Sequence, residues 1–256
     1  MGAMQLDQVI TAVIFVGVRI GGVMMFPPFL GSSGIPLQVK AALTLALTAL
    51  LFPVAGAVAI KSDALGWVRV VGSEMVIGLI LGLTMQLVFE AAQFAGQVVG
   101  VQTGFSLITL LDPQTQADTP VLAIFQQLVV LMIFFQLNVH HWLLRGLAAS
   151  FNYLPPGTSL THSVAGAALL HSAGSIWLVG IEIAAPVIVA TVVADIAMGF
   201  LGKASPQLPV VLVGLSVKNV LGLTVLAGSL TLWPRIFERH FASAIGLGER
   251  LLHLAK

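Results

Sequence analysis

Residues 96–120 read GQVVGVQTGFSLITLLDPQTQADTP, a stretch that resembles neither a lipid-facing helix nor an ordinary polar loop. Gly96, Gly100 and Gly104 recur at a spacing of four, so a helix here would carry a bare stripe that lets another backbone come close. The apolar run that follows ends at Asp112-Pro113, where a helix can hardly continue. In a membrane protein such irregular backbone is tolerated only where protein buries it or where it lines an aqueous cavity. The stretch therefore predicts a loop that closes a pore, formed by Phe105, Leu107, Ile108, Leu110, Leu111, Asp112 and Pro113.

The amino-acid composition is that of a membrane protein. Hydrophobic residues make up 58% of the 256 residues and charged residues only 8%, whereas a soluble domain carries about 25% charged residues. The formal net charge of +1 and the absence of a Lys/Arg-rich run give no support to nucleic-acid binding. No cysteine is present, which excludes disulfides and thiolate metal sites. The first apolar run contains Arg19 and lacks a small-residue cleavage site, so we expect it to remain in the mature protein.

Six apolar stretches are long enough, at about 20 residues, to cross a bilayer as helices. Pro27-Pro28 and the turn residues after it indicate that the first two form a hairpin. Lys and Arg collect between the stretches on one side, which predicts cytoplasmic termini and places the loop of residues 96–120 on the opposite side. The expected fold is an all-α, polytopic membrane protein of helical hairpins, with residues 1–256 as a single domain. The six stretches cover approximately residues 9–30, 39–60, 67–89, 120–144, 174–198 and 208–233.

A polar seam is expected on the third apolar stretch. Its members recur every four residues and drift by only about 40° per step, so they share one face of a helix. A carboxylate at bilayer depth is costly, so this face should meet protein or water and not lipid. The pattern fits a close-packing seam with its charges near the helix ends, and it also fits a face that lines a channel. The seam consists of Glu74, Gly78, Gly82, Gln86 and Glu90.

Four more charged residues lie inside apolar stretches, namely Arg19, Glu182, Asp195 and Lys218. Pairing of Arg19 or Lys218 with Glu74, Glu182 or Asp195 would remove much of the cost of burying them. Structural or inter-subunit ion pairing is the favoured interpretation. A proton or ion relay is the alternative, although the acids do not converge on one broken helix as they would in a transporter.

The remaining residues with useful chemistry predict neither an enzyme nor a cofactor site. His140 and His141 are consecutive and should point to opposite sides of a helix, so we expect no metal site there. No nucleophile, base and orienting group come together in the sequence, and we expect no cofactor. After Pro234, charged residues alternate with Phe and Leu, which predicts an amphipathic tail over residues 235–256 that lies on a surface or a partner.

Taken in order, these residues resemble the FliR family of flagellar export-gate proteins. Each motif alone is weak, but together their order and spacing are specific and cover almost the whole chain. The first half carries the resemblance at Arg19, Pro28, Ile35-Pro36, Lys40, Glu74, Gly78, Gly82, Ala95-Gly96, Gly100, Gln102, Gly104 and Asp112-Pro113. The second half carries it at His140-His141, Ser150, Pro155, Pro186, Asp195, Gly199, Pro206-Gln207, Lys218 and Gly222.

The resemblance implies a subunit of the type III protein export apparatus in the bacterial inner membrane, at the flagellar basal body. A FliR-type chain assembles there with FliP- and FliQ-type chains into a helical gate, whose hairpins stack around a channel for unfolded export substrates. By the same resemblance, residues 105–118 form the plug and the intramembrane charges pair mainly across subunits. The tail would contact a FlhB-type switch protein.

Two other functions fit parts of the pattern. An injectisome export-gate subunit of the related SctT type is the alternative within the family, although the region from Gly96 to Pro113 favours the flagellar type. A small-solute secondary transporter is the alternative from another class. A transporter should be stable alone, whereas a gate subunit should depend on its partners. A membrane-embedded enzyme ranks third, since no catalytic set is present.

Overall fold

Helices make up nearly all of the structure. The computed structural model describes residues 6–26, 35–55, 64–106, 120–158, 164–205, 207 and 209–254. Within these ranges the chain contains no β-strand, which confirms the all-α prediction. The helices are α1 (Leu6–Met24), α2 (Leu37–Ala55), α3 (Ala64–Thr103), α4 (Val121–Gln136), α5 (Val139–Tyr153), α6 (Val164–Ala204), α7 (Val210–Ser229) and α8 (Trp233–Leu254).

Four of these helices, α1, α2, α3 and α6, are long and apolar enough to cross a membrane. The number rises to six if the bent pairs α4–α5 and α7–α8 each count as one span. The prediction of a polytopic protein with about six apolar helices is confirmed in this sense. Pro53 and Pro186 lie inside α2 and α6 without ending them, as prolines in membrane helices can when neighbouring groups satisfy the freed carbonyls.

The chain divides into two compact units. The first contains the described parts of residues 1–87, 138–173 and 240–256, and the second contains those of residues 88–137 and 174–239. Helices α3, α6 and α8 therefore each contribute residues to both units. Within the first unit, α2 packs against α1 and also contacts α5.

Helix α3 extends well beyond the predicted third stretch of residues 67–89. It runs for 40 residues from Ala64 to Thr103 and includes two of the three glycines that recur at a spacing of four. Gly96 and Gly100 lower the intrinsic helix propensity, but the helix continues through them because tertiary packing overrides propensity. At 1.5 Å per residue, α3 is about 60 Å long, twice the roughly 30 Å of a hydrocarbon core.

The predicted fourth stretch of residues 120–144 proves to be two helices. They are separated at Leu137-Asn138, where Asn138 has a φ of 55° in the left-handed region that Asn tolerates better than most residues. Helix α5 then continues to Tyr153, beyond the predicted end of the stretch at residue 144. Helix α6 begins at Val164, earlier than the predicted residue 174.

The tail of residues 235–256 falls within α8 as far as Leu254. Phe237, Phe241 and Leu251 are buried in the chain, Glu249 is half-buried, and the other charged side chains of the helix are exposed. Pro234 occupies the first turn, where its missing N–H costs no helical hydrogen bond. The apolar face of this amphipathic helix is thus covered by the chain itself. The exposed charged residues are Arg235, Glu238, Arg239 and Arg250.

Candidate functional site

The first unit is built around an ion pair between Arg19 on α1 and Glu74 on α3. The Arg19 Nε donates to Glu74 Oε2 over 2.6 Å, and both side chains are 0% exposed. A buried pair of this kind needs further hydrogen bonds, because its mutual attraction alone hardly offsets the cost of removing two charges from water. The structure supplies these bonds from a third helix and the turn that follows it.

Helix α5 and its C-terminal turn complete the hydrogen bonding of this pair. The two terminal guanidinium nitrogens of Arg19 donate to Ser150 Oγ at 3.0 Å and to the Leu154 carbonyl at 2.9 Å. The backbone N–H of Gly157 donates to the second oxygen of Glu74 at 2.9 Å. The guanidinium also lies 4.4 Å from the ring centroid of Phe151, within range of a cation–π interaction. The pair therefore joins α1, α3 and α5 within one chain, in contrast to the cross-subunit pairing expected for these charges.

One turn further along the same two helices, glycines bring the backbones of α1 and α3 into contact. A Cβ atom on Gly22 would lie 2.7 Å from the Met75 carbonyl oxygen, and one on Gly78 would collide with the Arg19 carbonyl oxygen. Gly82 repeats the arrangement, since its Cβ would lie 2.8 Å from the Val23 carbonyl oxygen. Real Cβ atoms do not approach backbone so closely, so these positions require glycine at the observed helix separation.

In the second unit, α3 and α4 pack closely at Gly96. A Cβ atom there would collide with the Cα atom of Ala123 on α4. One turn later, a Cβ atom on Gly100 would lie 3.0 Å from Ser106 Oγ and 3.8 Å from Pro120 Cβ. Ser106 and Pro120 are the described residues on either side of residues 107–119. Both ends of that segment therefore meet the same face of α3.

Gly104 lies just beyond the end of α3, whereas Gly96 and Gly100 lie inside the helix. It follows the last residue of α3 and has a φ of 85°, a conformation that glycine adopts at no steric cost when it ends a helix. Phe105 comes next and is half-buried. The other residues assigned to the pore loop lie outside the described residues: Leu107, Ile108, Leu110, Leu111, Asp112 and Pro113.

The remaining intramembrane charges lie in the second unit and are less buried than Arg19 and Glu74. Lys218 Nζ donates to Asp195 Oδ2 at 2.9 Å, with side-chain exposures of 20% and 53%. Glu182 lies 3.9 Å from Arg239, and both of these side chains are largely exposed. Arg19 and Lys218 thus each pair with one of the three acids predicted as their partners, Arg19 with Glu74 and Lys218 with Asp195.

Glu90 lies in a cleft of about 250 Å³ between α3 and α6. Gln93 and Gln97 continue its polar face along α3, and the rings of Phe94 and Trp177 meet edge to face at 4.5 Å beside it. The residues of the predicted polar seam therefore have two different environments. Gly78 and Gly82 pack against α1, whereas Glu90 lies in the polar cleft between α3 and α6.

The two consecutive histidines lie closer together than expected. The ring centroids of His140 and His141 are 4.2 Å apart, because side chains about 100° apart around a helix can still turn toward each other. The prediction that they point to opposite sides is therefore wrong. Among the described residues, no group of three or more His, Cys, Asp or Glu side chains is placed to hold a metal ion.

Comparison with known proteins identifies the family. A model of the family described as bacterial export proteins, family 1, matches residues 10–244. The chain belongs to this family, the FliR family. Family membership makes it a membrane-embedded component of a flagellar export apparatus.

Individual relatives of this family member cover most of its length. The flagellar biosynthetic protein FliR of Escherichia coli (strain K12) is 30% identical over 90% of this chain and 88% of the relative. The FliR protein of Pectobacterium carotovorum subsp. carotovorum is 31% identical over the same shares. That of Bacillus subtilis (strain 168) is 28% identical over 71% of each chain.

Several residues of the buried site carry no sequence signal of their own role. Leu154 and Gly157 contribute only backbone groups, and Ser150 stood out only as one of the positions that carry the family resemblance. Gly22 was visible only as one of several glycines beside Arg19. The sequence did contain a clue to what packs against Gly78 and Gly82. Gly22 lies three residues after Arg19 and Gly78 lies four residues after Glu74, so pairing Arg19 with Glu74 brings these glycines together.

Proposed function

We propose that this chain lines and closes the channel of a flagellar protein-export gate in the bacterial inner membrane, at the basal body, with residues 105–118 as its plug. The observation that carries the proposal is the convergence of Ser106 and Pro120 on Gly100. Because both ends of the segment lie beside Gly100, the segment departs from α3 and comes back to α3 at the same place. Its composition is apolar up to Asp112, which suits a closure that excludes water.

The plug needs to seal against ions and still yield to an unfolded polypeptide. An apolar constriction does both, because it blocks ions by excluding their hydration water and holds no strong polar bonds that must break on opening. The rigid frame on both sides of the loop keeps its ends in place during this movement. Gly96, packed on Ala123, supplies that frame.

The proposed partners are FliP- and FliQ-type subunits. Helix α3, about 60 Å long by its 40 residues, exceeds the bilayer core, so part of its length needs cover from protein or water. Only 28% of α6 between residues 176 and 204 is buried in this chain, which leaves surface for neighbouring subunits as well as lipid. In this proposal residues 1–256 act as one export-gate domain without catalytic function. The exposed charged face of α8 contacts a FlhB-type protein.

Assembly is tested by purifying the tagged chain in mild detergent, alone and after co-expression with FliP- and FliQ-type chains, followed by native mass spectrometry. A hetero-oligomer that contains this chain supports the gate. A stable particle of this chain alone, indifferent to the partners, would contradict it and favour a transporter.

Closure is tested by deleting residues 108–111 and measuring ion conductance of the assembled complex in planar bilayers. Conductance should rise. A matched variant replaces Leu107, Ile108, Leu110 and Leu111 by Ser at unchanged length, which separates loss of apolar character from loss of length. Unchanged conductance in both variants would contradict a plug at this position.

A further inference from the structure

The last residue of α3, Thr103, packs against α7 and lies beside α6 in the second unit. Thr103 is 0% exposed. A Cβ atom on Gly222 of α7 would collide with the methyl carbon of Thr103, Cγ2, and would lie 3.6 Å from a methyl carbon of Val187 on α6. The adjacent Gln102 Oε1 accepts a long hydrogen bond of 3.5 Å from the Thr191 hydroxyl of α6. The end of α3 thus contacts two other helices, and Gly222 lets α7 approach it closely.

The direction of the Thr103 side chain is fixed within α3. Its hydroxyl donates to the Val99 carbonyl at 2.8 Å and lies 3.5 Å from the Gly100 carbonyl. A β-branched side chain has few χ1 rotamers in a helix, so a hydroxyl bonded to the preceding turn fixes the methyl group as well. A side chain larger than hydrogen at residue 222 therefore has to displace the backbone of α3 or break this hydrogen bond.

The chain leaves α3 immediately after this contact. Gly104 has a φ of 85° and ends the helix, and Phe105 and Ser106 follow it. A displacement of the last turn of α3 therefore moves the start of the segment assigned to the plug by a similar distance. The contact of Gly96 with α4 lies about two turns earlier on α3, so it does not by itself fix this last turn.

We propose that Gly222 and Thr103 are positioning residues of the channel closure, and that the contact of α7 with the Thr103 methyl group sets the place from which the plug starts. This inference rests on the proposed function. It adds α6 and α7 to the frame that α4 provides at Gly96. Both residues act through the position at which α3 ends.

The test changes the size of this contact and measures ion conductance per assembled complex in planar bilayers. Gly222→Ala should raise conductance roughly threefold or more, because its Cβ displaces the last turn of α3 and so disturbs the apolar closure. Thr103→Ser removes the methyl group that this Cβ would meet and keeps the hydroxyl. The double variant Gly222→Ala/Thr103→Ser should therefore return to within about twofold of the wild type, as two residues in direct contact allow.

Two control variants isolate the steric contact. Gly228→Ala lies on the same helix at a position where a Cβ would meet no atom within 4 Å, so it should leave conductance unchanged. Thr103→Val keeps the branched shape of the side chain and removes only the hydroxyl. If the contact acts through shape, Thr103→Val should also conduct like the wild type.

The positioning role makes a claim that a purely structural contact does not make. A lower unfolding temperature in Gly222→Ala with unchanged conductance of the assembled complex would overturn it. A raised conductance that Thr103→Ser does not reverse would overturn it as well, because another contact would then be responsible. If Gly222→Ala alone does not assemble, Thr103→Ser is compared with the double variant. Thr103→Ser loosens the contact and should conduct more than the double variant, and equal conductance in these two would contradict the proposal.

The deletion of residues 108–111 separates this inference from the proposed function. If the deletion raises conductance and Gly222→Ala does not, only the positioning role is wrong. If the deletion leaves conductance unchanged, the plug and its positioning are wrong together. Rescue of the unfolding temperature of Gly222→Ala by Thr103→Ser would in that case still show the contact between α3 and α7.

Discussion

Arg19 and Glu74 are 55 residues apart in sequence and form a 2.6 Å ion pair whose side chains are both fully buried. Their described hydrogen-bond partners are Ser150, Leu154 and Gly157, all on α5 or in the turn that follows it. The pair fixes the C-terminal turn of α5 against α1 and α3 through Leu154 and Gly157.

Removing one member of this pair should strongly destabilise the chain. Glu74→Gln or Arg19→Leu leaves the other charge buried, at a cost of about 3–5 kcal/mol in the free energy of unfolding. The double variant Arg19→Leu/Glu74→Gln should lose much less than the sum of the two single changes, because no unpaired charge remains. Thermal unfolding in detergent measures the coupling, with Glu182→Gln as a control at an exposed and longer ion pair. Additive single and double effects would contradict a coupled pair.

The glycines on α3 predict opposite results for two substitutions on one helix. Gly78→Ala should destabilise the chain because its Cβ collides with the Arg19 carbonyl oxygen. Gly72→Ala should be neutral or stabilising by up to about 1 kcal/mol, since no atom lies within 4 Å of its Cβ and alanine is the better helix former. Unfolding temperature and membrane abundance report both. Equal effects at the two positions would refute the close approach of α1 and α3.

The packing face of α3 could be predicted from the sequence, whereas the full length of α3 and the hydrogen bonds around the ion pair could not. The spacing of Glu74, Gly78 and Gly82 predicted a seam that needs protein beside it. The glycine stripe also predicted close packing at Gly96, where the structure has Ala123, but the junction of this part with residues 67–89 into one helix was missed. Glycine lowers helix propensity in a local pattern, and the distant contact that favours the helix is not visible there. The hydrogen bonds that Ser150, Leu154 and Gly157 make with the ion pair were missed because backbone groups, which every residue carries, provide two of the three.

The close packing at Gly96 and Gly100, beside the ends of the proposed plug, predicts that a second substitution can restore the function lost by a first. Gly100→Ala places a Cβ 3.0 Å from Ser106 Oγ, so it should reduce motility modestly, and Gly100→Leu should block it. Adding Ser106→Ala to Gly100→Ala should restore motility because it removes the nearest atom. Gly96→Ala should be more severe than Gly100→Ala, since it strikes the backbone of Ala123, which cannot turn aside. Soft-agar swarming of a strain carrying each variant as its only copy measures the order. Normal swarming with Gly100→Leu would contradict close packing at this point.

Lys218 and Asp195 offer a test between structural pairing and proton transfer. Their 2.9 Å contact is partly exposed, with the carboxylate 53% exposed, so neutralising one member should cost less than it does at Arg19 or Glu74. If the pair is structural, Asp195→Asn should reduce export and the double variant Asp195→Asn/Lys218→Gln should recover most of it, because no unpaired charge remains. If Asp195 carries protons, the double variant should be as defective as the single one, since the titrating carboxyl is absent from both. Secretion of a flagellar substrate into the medium, normalised to the abundance of each variant, decides between them. Recovery in the double variant is the outcome we expect.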